Sequence, residues 1–421
     1  METVAASGLI TENYVRYGRY ANNGRATVGV DGLKNIERRV LLAVKEEAPR
    51  HLVRSSAVIG KALAKWHPHG EASIYNVLCR LVVRGFVGGH GNFGSHFSDD
   101  PPAAMRYTSV KAKGHFSDSI FKFVDFVEHR ENEFGIKEPT YLPVPLPLAL
   151  LDGSVGIGVG LLMNIPAFSA SSLYAAMRKD DPSLLKAPKG LSLVSSDLKG
   201  VWETGSGHVQ YGLRCYQEKS DADENRTVSI IEGSPKIFVP DLEKIFAKEI
   251  EEELIYIRNE SVDNIKFVIS RVKGIKRITD EEMHEKANQA ATKTLFCRLY
   301  VSDGEVARIT PLRDWLKLCW KNYCDAFAKY QKDQVDSLEY RIHIYELIPK
   351  VYPLLVKDKG TQEIARELSE PMKVIQDIEG KPLRLLRKKD FEEETRILRR
   401  DVRAVRDLTA EKIGEDFIAT L

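Results

Sequence analysis

From Leu33 to Val44, apolar residues recur at Leu33, Ile36, Val40, Leu41 and Val44 with Arg38 and Arg39 between them, the 3.6-residue period of an amphipathic helix. After it, Ser55 or Ser56 can cap a helix carrying Val58, Ile59, Ala62 and Leu63 on one face, which Pro68 and Gly70 then break. A third helix fits Glu71 to Leu81, with Ile74, Val77, Leu78 and Leu81 aligned. Two short helices about a tight turn, preceded by another, predict a helix-turn-helix, with Gly85 to Thr108 as loop or wing. Pro139, Pro143, Pro145 and Pro147 exclude a long helix and predict a domain junction. Residues 167–309 mix β-like runs with charged helical stretches and read as an α/β region. Thr310 and Pro311 open a helical pattern that reaches about Ile348. A return stretch places Phe391, Leu398, Val402 and Val405 near heptad spacing, which predicts an antiparallel coiled-coil arm with its tip near residues 350–375, or else an ordinary helical bundle.

Composition changes this picture little, because 421 residues with 43% hydrophobic and 29% charged side chains are those of a folded chain of several domains. No apolar run reaches a membrane span, and the N-terminus has no secretory signal pattern, so a cytoplasmic location is expected. Five scattered cysteines without a CxxC pair argue against a disulfide framework or a zinc site. Charge is more telling by position: residues 1–115 hold 16 Lys and Arg against 9 Asp and Glu, together with six of the ten histidines. A basic first part on a mildly acidic remainder suits a phosphate-rich partner met through that part.

Several motifs bear on chemistry. "GHGNFG" (89–94) matches GxGxxG, yet "SHFSDDPP" follows where a dinucleotide site needs a helix. "GIGVG" (156–160) lacks the Lys-Ser/Thr of a phosphate-binding loop. His67 and His69 have no third metal ligand at suitable spacing, but a polar turn could present them to phosphates. "PPAAMRYTS" (101–109) sets Arg106 beside Tyr107. A phenol has a pKa of about 10, so its attack on a phosphodiester needs a cationic site that favours the phenolate and the pentacovalent phosphate. Arg106 is adjacent, and Arg25, His67 and His69 could be brought near. A salt-bridged arginine beside a packed tyrosine would explain the pair equally well.

Taken together, "GRATVGVDGLKNIERRVL" (24–41), "KWHPHGEASIYN" (65–76), "GNFGS" (91–95), "AAMRYT" (103–108) and "LLDGSVGIGVGLLMNIP" (150–166) resemble the breakage-reunion subunit of type IIA DNA topoisomerases, the family of gyrase A, topoisomerase IV C and the T-even phage medium subunit. A fainter similarity lies at "IQDIEGKPLRLLRKKDFEEE" (375–394). The resemblance implies an α+β multidomain chain: an N-terminal arm (1–24), a winged-helix cleavage domain (25–148), a tower or shoulder domain (149–309) and a coiled-coil arm with a dimer gate (310–421). Tyr107 matches the nucleophile, Arg106 its neighbour, Arg25 the arginine that stabilises the transition state and His69 a transition-state or phosphate contact. Lys34, Arg38 and Arg39 match the stretch that grips the DNA backbone, and Lys61, Lys65, His67 and Asn92 are further expected contacts. Ile157 matches the isoleucine wedged between base steps.

No metal site is expected in this chain, because the family's Mg²⁺ sits on a TOPRIM domain and its ATP on an ATPase domain, neither of which has a counterpart motif here. Both would come from a separate protein, in a heterotetramer of two copies of each chain bound to double-stranded DNA in the cytoplasm, or in a host's cytoplasm for a virus-encoded enzyme. Ala72 and Asn76 replace the serine and acidic residue of the bacterial quinolone bridge, which implies weak sensitivity to drugs that need that bridge. The chain ends just past the arm, so ATP-dependent relaxation and decatenation are expected rather than supercoiling. Two other readings stay open on the residues alone: a winged-helix protein that bends or regulates DNA without cutting, and an inactive paralogue.

Overall fold

The computed structural model describes residues 6–95, 100–132, 134–220, 223–233, 239–261, 264–274, 277–304, 306–381 and 391–421. They form two compact units, Met1–Tyr323 with Asp416–Leu421, and Cys324–Glu415.

The first unit begins with α1 (Ala6–Ala21), exposed along nearly its whole length, and a π-helical turn, Asn22–Ala26. α2 (Asn35–Glu47) buries Val40, Leu41 and Val44 as its periodicity predicts, and its first turn is held by Lys34 N–H donating to Glu37 Oε2 at 2.9 Å. β1 (Val53–Arg54) leads into α3 (Ser55–Lys61), which widens into a second π-helical turn, Ala62–Trp66. α4 (Glu71–Val83) buries Ile74, Val77, Leu78 and Leu81, each contributing about 1.5–3 kcal/mol of transfer free energy. Gly85, at φ +83°, then turns the chain into β2 (Val87–His90). β3 (Ser109–Ala112) pairs antiparallel with both neighbours in the order β1-β3-β2. The stretch expected as loop or wing is thus one strand followed by irregular backbone, with His96 to Asp99 outside the described residues.

β4 (His129–Glu131) pairs with β5 (Lys137–Pro139), and a hairpin of β6 (Ser154–Gly158) and β7 (Leu161–Ile165) follows. That hairpin edges a five-stranded sheet continued by Thr292–Arg298, Ser206–Gly212 and Ser192–Ser196. Its inner side packs Met163, Ile165, Val209, Tyr211 and Cys297 against Phe168, Leu173 and Trp315. A four-stranded sheet in the order Arg214–Ser220, Asp223–Gly233, Ile265–Arg271, Ile255–Asn259 has its own core of Ile231, Phe246, Phe267, Ile269 and Met283. Strands in both larger sheets pair antiparallel throughout, so the region read as α/β mixes helix and sheet in the α+β manner.

Helix Leu312–Val356 runs 45 residues, past the expected end at Ile348 and through Pro349 and Pro353. Each proline removes an intrahelical donor, but Ile344, Leu347, Ile348 and Val351 bury themselves against Ile364, Val374, Ile375 and Ile378 of the short helices Thr361–Leu368 and Met372–Glu379. Within the second unit, Arg399 reaches Glu346 at 2.7 Å and Arg406 reaches Glu339 at 2.5 Å. Partner numbers fall as Arg numbers rise, so helix Glu392–Arg406 runs antiparallel to the long one. Part of the 375–394 similarity, residues 382–390, lies outside the described residues. No described helix is long and apolar enough to cross a membrane.

Candidate active site

Tyr107 sits on a turn, 68% exposed, its N–H donating to the Ala104 carbonyl at 2.8 Å. The Arg106 guanidinium lies 4.7 Å from the centre of the Tyr107 ring, where its positive charge is attracted to the electron-rich face of the ring. The turn is anchored on both sides. Before it, Ala103 N–H donates to the Asn92 carbonyl at 3.0 Å; after it, Ser55 N–H donates to the Thr108 carbonyl at 2.9 Å. Ser55 is therefore not the helix cap its position suggested: its hydroxyl accepts from Thr108 Oγ1 at 2.8 Å. Asn92 is exposed, and its side chain accepts from Gly94 N–H at 2.8 Å, closing a local turn.

His67 and His69 meet edge to face at 4.4 Å at the end of the second π-helical turn. Arg39 Nη1 approaches His67 Nδ1 at 3.1 Å. A guanidinium can only donate, so Nδ1 accepts and the proton of neutral His67 resides on Nε2. Phe134 packs against His69 at 5.9 Å, and Arg39 lies 5.6 Å from the same ring.

Arg38 and Arg39, expected to grip a DNA backbone, require a correction: they are 4% and 3% exposed. Arg38 grips Asp31 through Nε at 2.8 Å and Nη2 at 2.9 Å, and Arg39 grips Glu138 through Nε at 2.8 Å and Nη2 at 3.0 Å. Burial works to lower the Arg38 pKa, and the Asp31 charge and hydrogen bonds outweigh it, so the pKa ends above its ordinary value. Two cations in a dry interior need carboxylates, and those carboxylates are what these arginines hold. Glu138 also accepts from Asn132 Nδ2 at 3.2 Å, and Asn132 Oδ1 accepts the Phe134 and Ile136 N–H groups at 2.9 and 3.0 Å. Arg39 thus supports the aromatic contact of His69 from behind.

Lys61 bridges Glu46 at 3.4 Å and Glu47 at 3.2 Å, while Lys65 also pairs with Glu46 and lies 4.4 Å over the Trp66 ring. Such half-exposed pairs are weak enough to exchange for a phosphate. Lys34 is partly buried and donates to the Val155 carbonyl at 2.8 Å. Burial depresses its pKa, Glu37 opposes this, and Arg80 and Arg84 add to the depression. Arg84, which the sequence did not single out, ties Asp152, just before the hairpin, to Glu37 of α2.

Arg25 is exposed on the first π-helical turn, and Ile157 stands 80% exposed on β6. Their segments are in contact through the Asn22 side chain and through close backbone approach. Asn22 donates to the Val159 carbonyl at 3.0 Å and accepts from Val159 N–H at 2.7 Å, and the turn lies so close to β6 that a β-carbon at Gly156 would fall 1.7 Å from the Ala26 carbonyl oxygen. Gly156→Ala is accordingly expected to cost about 1–3 kcal/mol and to displace Arg25 from the hairpin. Denaturant unfolding reads the loss, and a midpoint equal to wild type would contradict so tight a contact.

The candidates therefore fall into three groups: Arg106 with Tyr107, His67 with His69, and Arg25 with Lys34 and Ile157. Among the described residues, no hydrogen bond or ring contact joins Tyr107 to Arg25 or His69. Ala72 and Asn76 share the exposed face of α4 with Ser73 and Arg80. Among the described residues, no group of three or more His, Cys, Asp or Glu side chains converges as a metal site.

Residues 26–420 match the sequence profile of the DNA gyrase/topoisomerase IV A-subunit family. A probable chloroplastic/mitochondrial DNA gyrase A-subunit of Oryza sativa subsp. japonica is 34% identical over 286 residues, 60% of this chain and 30% of that one. The DNA gyrase A-subunit of Brachyspira hyodysenteriae is 26% identical over 406 residues, 88% of this chain and 47% of its own. The DNA topoisomerase 4 A-subunit of Staphylococcus aureus is 25% identical over 410 residues, 88% and 50% of the two chains. The chain thus spans half or less of the length of these relatives. With the profile covering nearly all of it, the chain belongs to the DNA gyrase/topoisomerase IV A-subunit family.

Proposed function

We propose that this chain is the DNA cleavage and religation subunit of a type IIA topoisomerase. The observation that carries the reading is the exposed Tyr107 on an anchored turn, with the Arg106 guanidinium against its ring, in a chain of this family. Tyr107 Oη attacks a backbone phosphorus and loses its proton; the bond to the 3′-oxygen breaks, that oxygen takes up a proton, and a 5′-phosphotyrosyl ester remains. The ester conserves the bond energy, so return of the 3′-hydroxyl reseals the strand and releases the tyrosine. Arg106, Arg25 and His69 stabilise the charge of the pentacovalent phosphate.

Residues 25–148 act as a winged-helix domain whose α4 enters the major groove by its exposed face, and Ile157, at the edge of a shoulder domain of residues 149–309, unstacks a base step. Residues 310–421 form the arm and dimer gate. Each of two copies cuts one strand, and a second duplex passes through the break. Mg²⁺ and ATP belong to a TOPRIM and ATPase partner.

The test mixes the chain with such a partner, supercoiled plasmid and Mg²⁺, then quenches with SDS. Protein-linked linear DNA is the expected product. Tight DNA binding with no adduct, using a partner that cleaves with another member of this family, would favour a DNA-bending protein instead.

A further inference from the structure

Behind the Arg106–Tyr107 turn lies a set of hydroxyl groups with no part in the chemistry just proposed. Tyr75 belongs to the buried side of α4; its hydroxyl donates to the Ala103 carbonyl at 2.6 Å and stands 3.0 Å from Thr108 Oγ1. Thr108 is fully buried and continues the chain of contacts to Ser55 Oγ at 2.8 Å. Ala103 and Thr108 bracket the turn. The phenol on α4 therefore holds the Ala103 end of the loop that presents Arg106 and Tyr107 and lies against Thr108 at its other end, where the Thr108 hydroxyl, donating to Ser55, ties that end to the start of α3. The other side of α4 exposes Ala72, Ser73, Asn76 and Arg80.

We propose that Tyr75 is a positioning residue which, with Thr108 and Ser55, transmits the seating of α4 on DNA to the placement of Tyr107. This rests on the cleavage reading above. The Tyr107 phenol makes no hydrogen bond among the described residues, so its position follows from the loop backbone and from the Arg106 guanidinium against its ring. In-line attack is sensitive to displacement, and a shift of about 1 Å lowers rates as much as 100-fold. Burial raises the Tyr75 pKa and Thr108 opposes this, so the phenol stays protonated and able to donate at neutral pH.

The experiment compares Tyr75→Phe, Thr108→Val and Thr108→Ser with wild type, in complex with the ATPase/TOPRIM partner, for DNA affinity and for single-turnover adduct formation. Tyr75→Phe and Thr108→Val are expected to form adduct about 10- to 100-fold more slowly, with affinity within about twofold of wild type. Thr108→Ser, which keeps the hydroxyl, is expected to recover most of the rate. Wild-type rates in Tyr75→Phe, equal losses in Thr108→Ser and Thr108→Val, or an affinity that falls as far as the rate would overturn the proposal. Trypsin cleavage after Arg106 in the DNA-free protein adds an independent reading. It is expected to quicken severalfold in Tyr75→Phe, and an unchanged rate would again overturn the proposal. If wild type forms no adduct at all, the cleavage reading fails, while the tryptic comparison still decides whether Tyr75 holds the turn.

Discussion

Tyr107→Phe is expected to abolish covalent capture of DNA, a loss of about 10⁴-fold or more, while leaving stability and DNA affinity at wild-type values. The size follows from removing the oxygen proposed to form the ester, a loss that Arg106, Arg25 and His69 have no nucleophilic oxygen to make up. The selectivity follows from the structure, since the phenol is exposed and makes no hydrogen bond among the described residues. Deleting its oxygen leaves no buried group unpaired. The measurement is the SDS-quenched plasmid assay beside a thermal melt and a binding isotherm. Adduct at wild-type yield from the phenylalanine variant would show that another residue is the nucleophile.

The second large effect concerns Asp31, which is fully buried. Its two oxygens accept from Arg38 Nε and Nη2, from Leu33 N–H at 3.1 Å and from Leu142 N–H at 2.8 Å. Asp31→Ala would strand a buried guanidinium and two buried amides, with an expected cost of about 3–5 kcal/mol. The pair joins the start of α2 to the proline-rich segment near Leu142. Its loss should therefore appear as a large drop in unfolding free energy. Asp31→Ala with a wild-type denaturation midpoint would mean that the ion pair contributes little.

The contrast between these two residues shows what is legible in the sequence. α2 and α4 can be read from apolar spacing, because one buried face of a helix imposes its period on the chain. The candidate nucleophile can be read because Arg106 and Tyr107 are neighbours in a recognisable motif. Arg38 and Arg39 are misleading because a sequence shows a charge but not the acid that will meet it: the partner of Arg39 is Glu138, 99 positions away. Ser55 reads as a cap because the hydroxyl it meets, on Thr108, lies 53 positions on. Gly156 reads as an element of a glycine-rich motif, whereas its necessity comes from the Ala26 carbonyl pressed against it. The prolines at 349 and 353 argue for a helix end, and tertiary burial of the surrounding isoleucines, leucine and valine overrides them.

The most direct test of the central claim identifies the linkage itself. Adduct formed with the ATPase/TOPRIM partner, Mg²⁺ and a 5′-labelled or 3′-labelled duplex would be trimmed with nuclease, digested with protease and sequenced by mass spectrometry. The expected product is a nucleotide joined through its 5′-phosphate to the peptide containing Tyr107, with a free 3′-hydroxyl on the other DNA end. A nucleotide on any other residue, or a 3′-phosphate linkage, would contradict it.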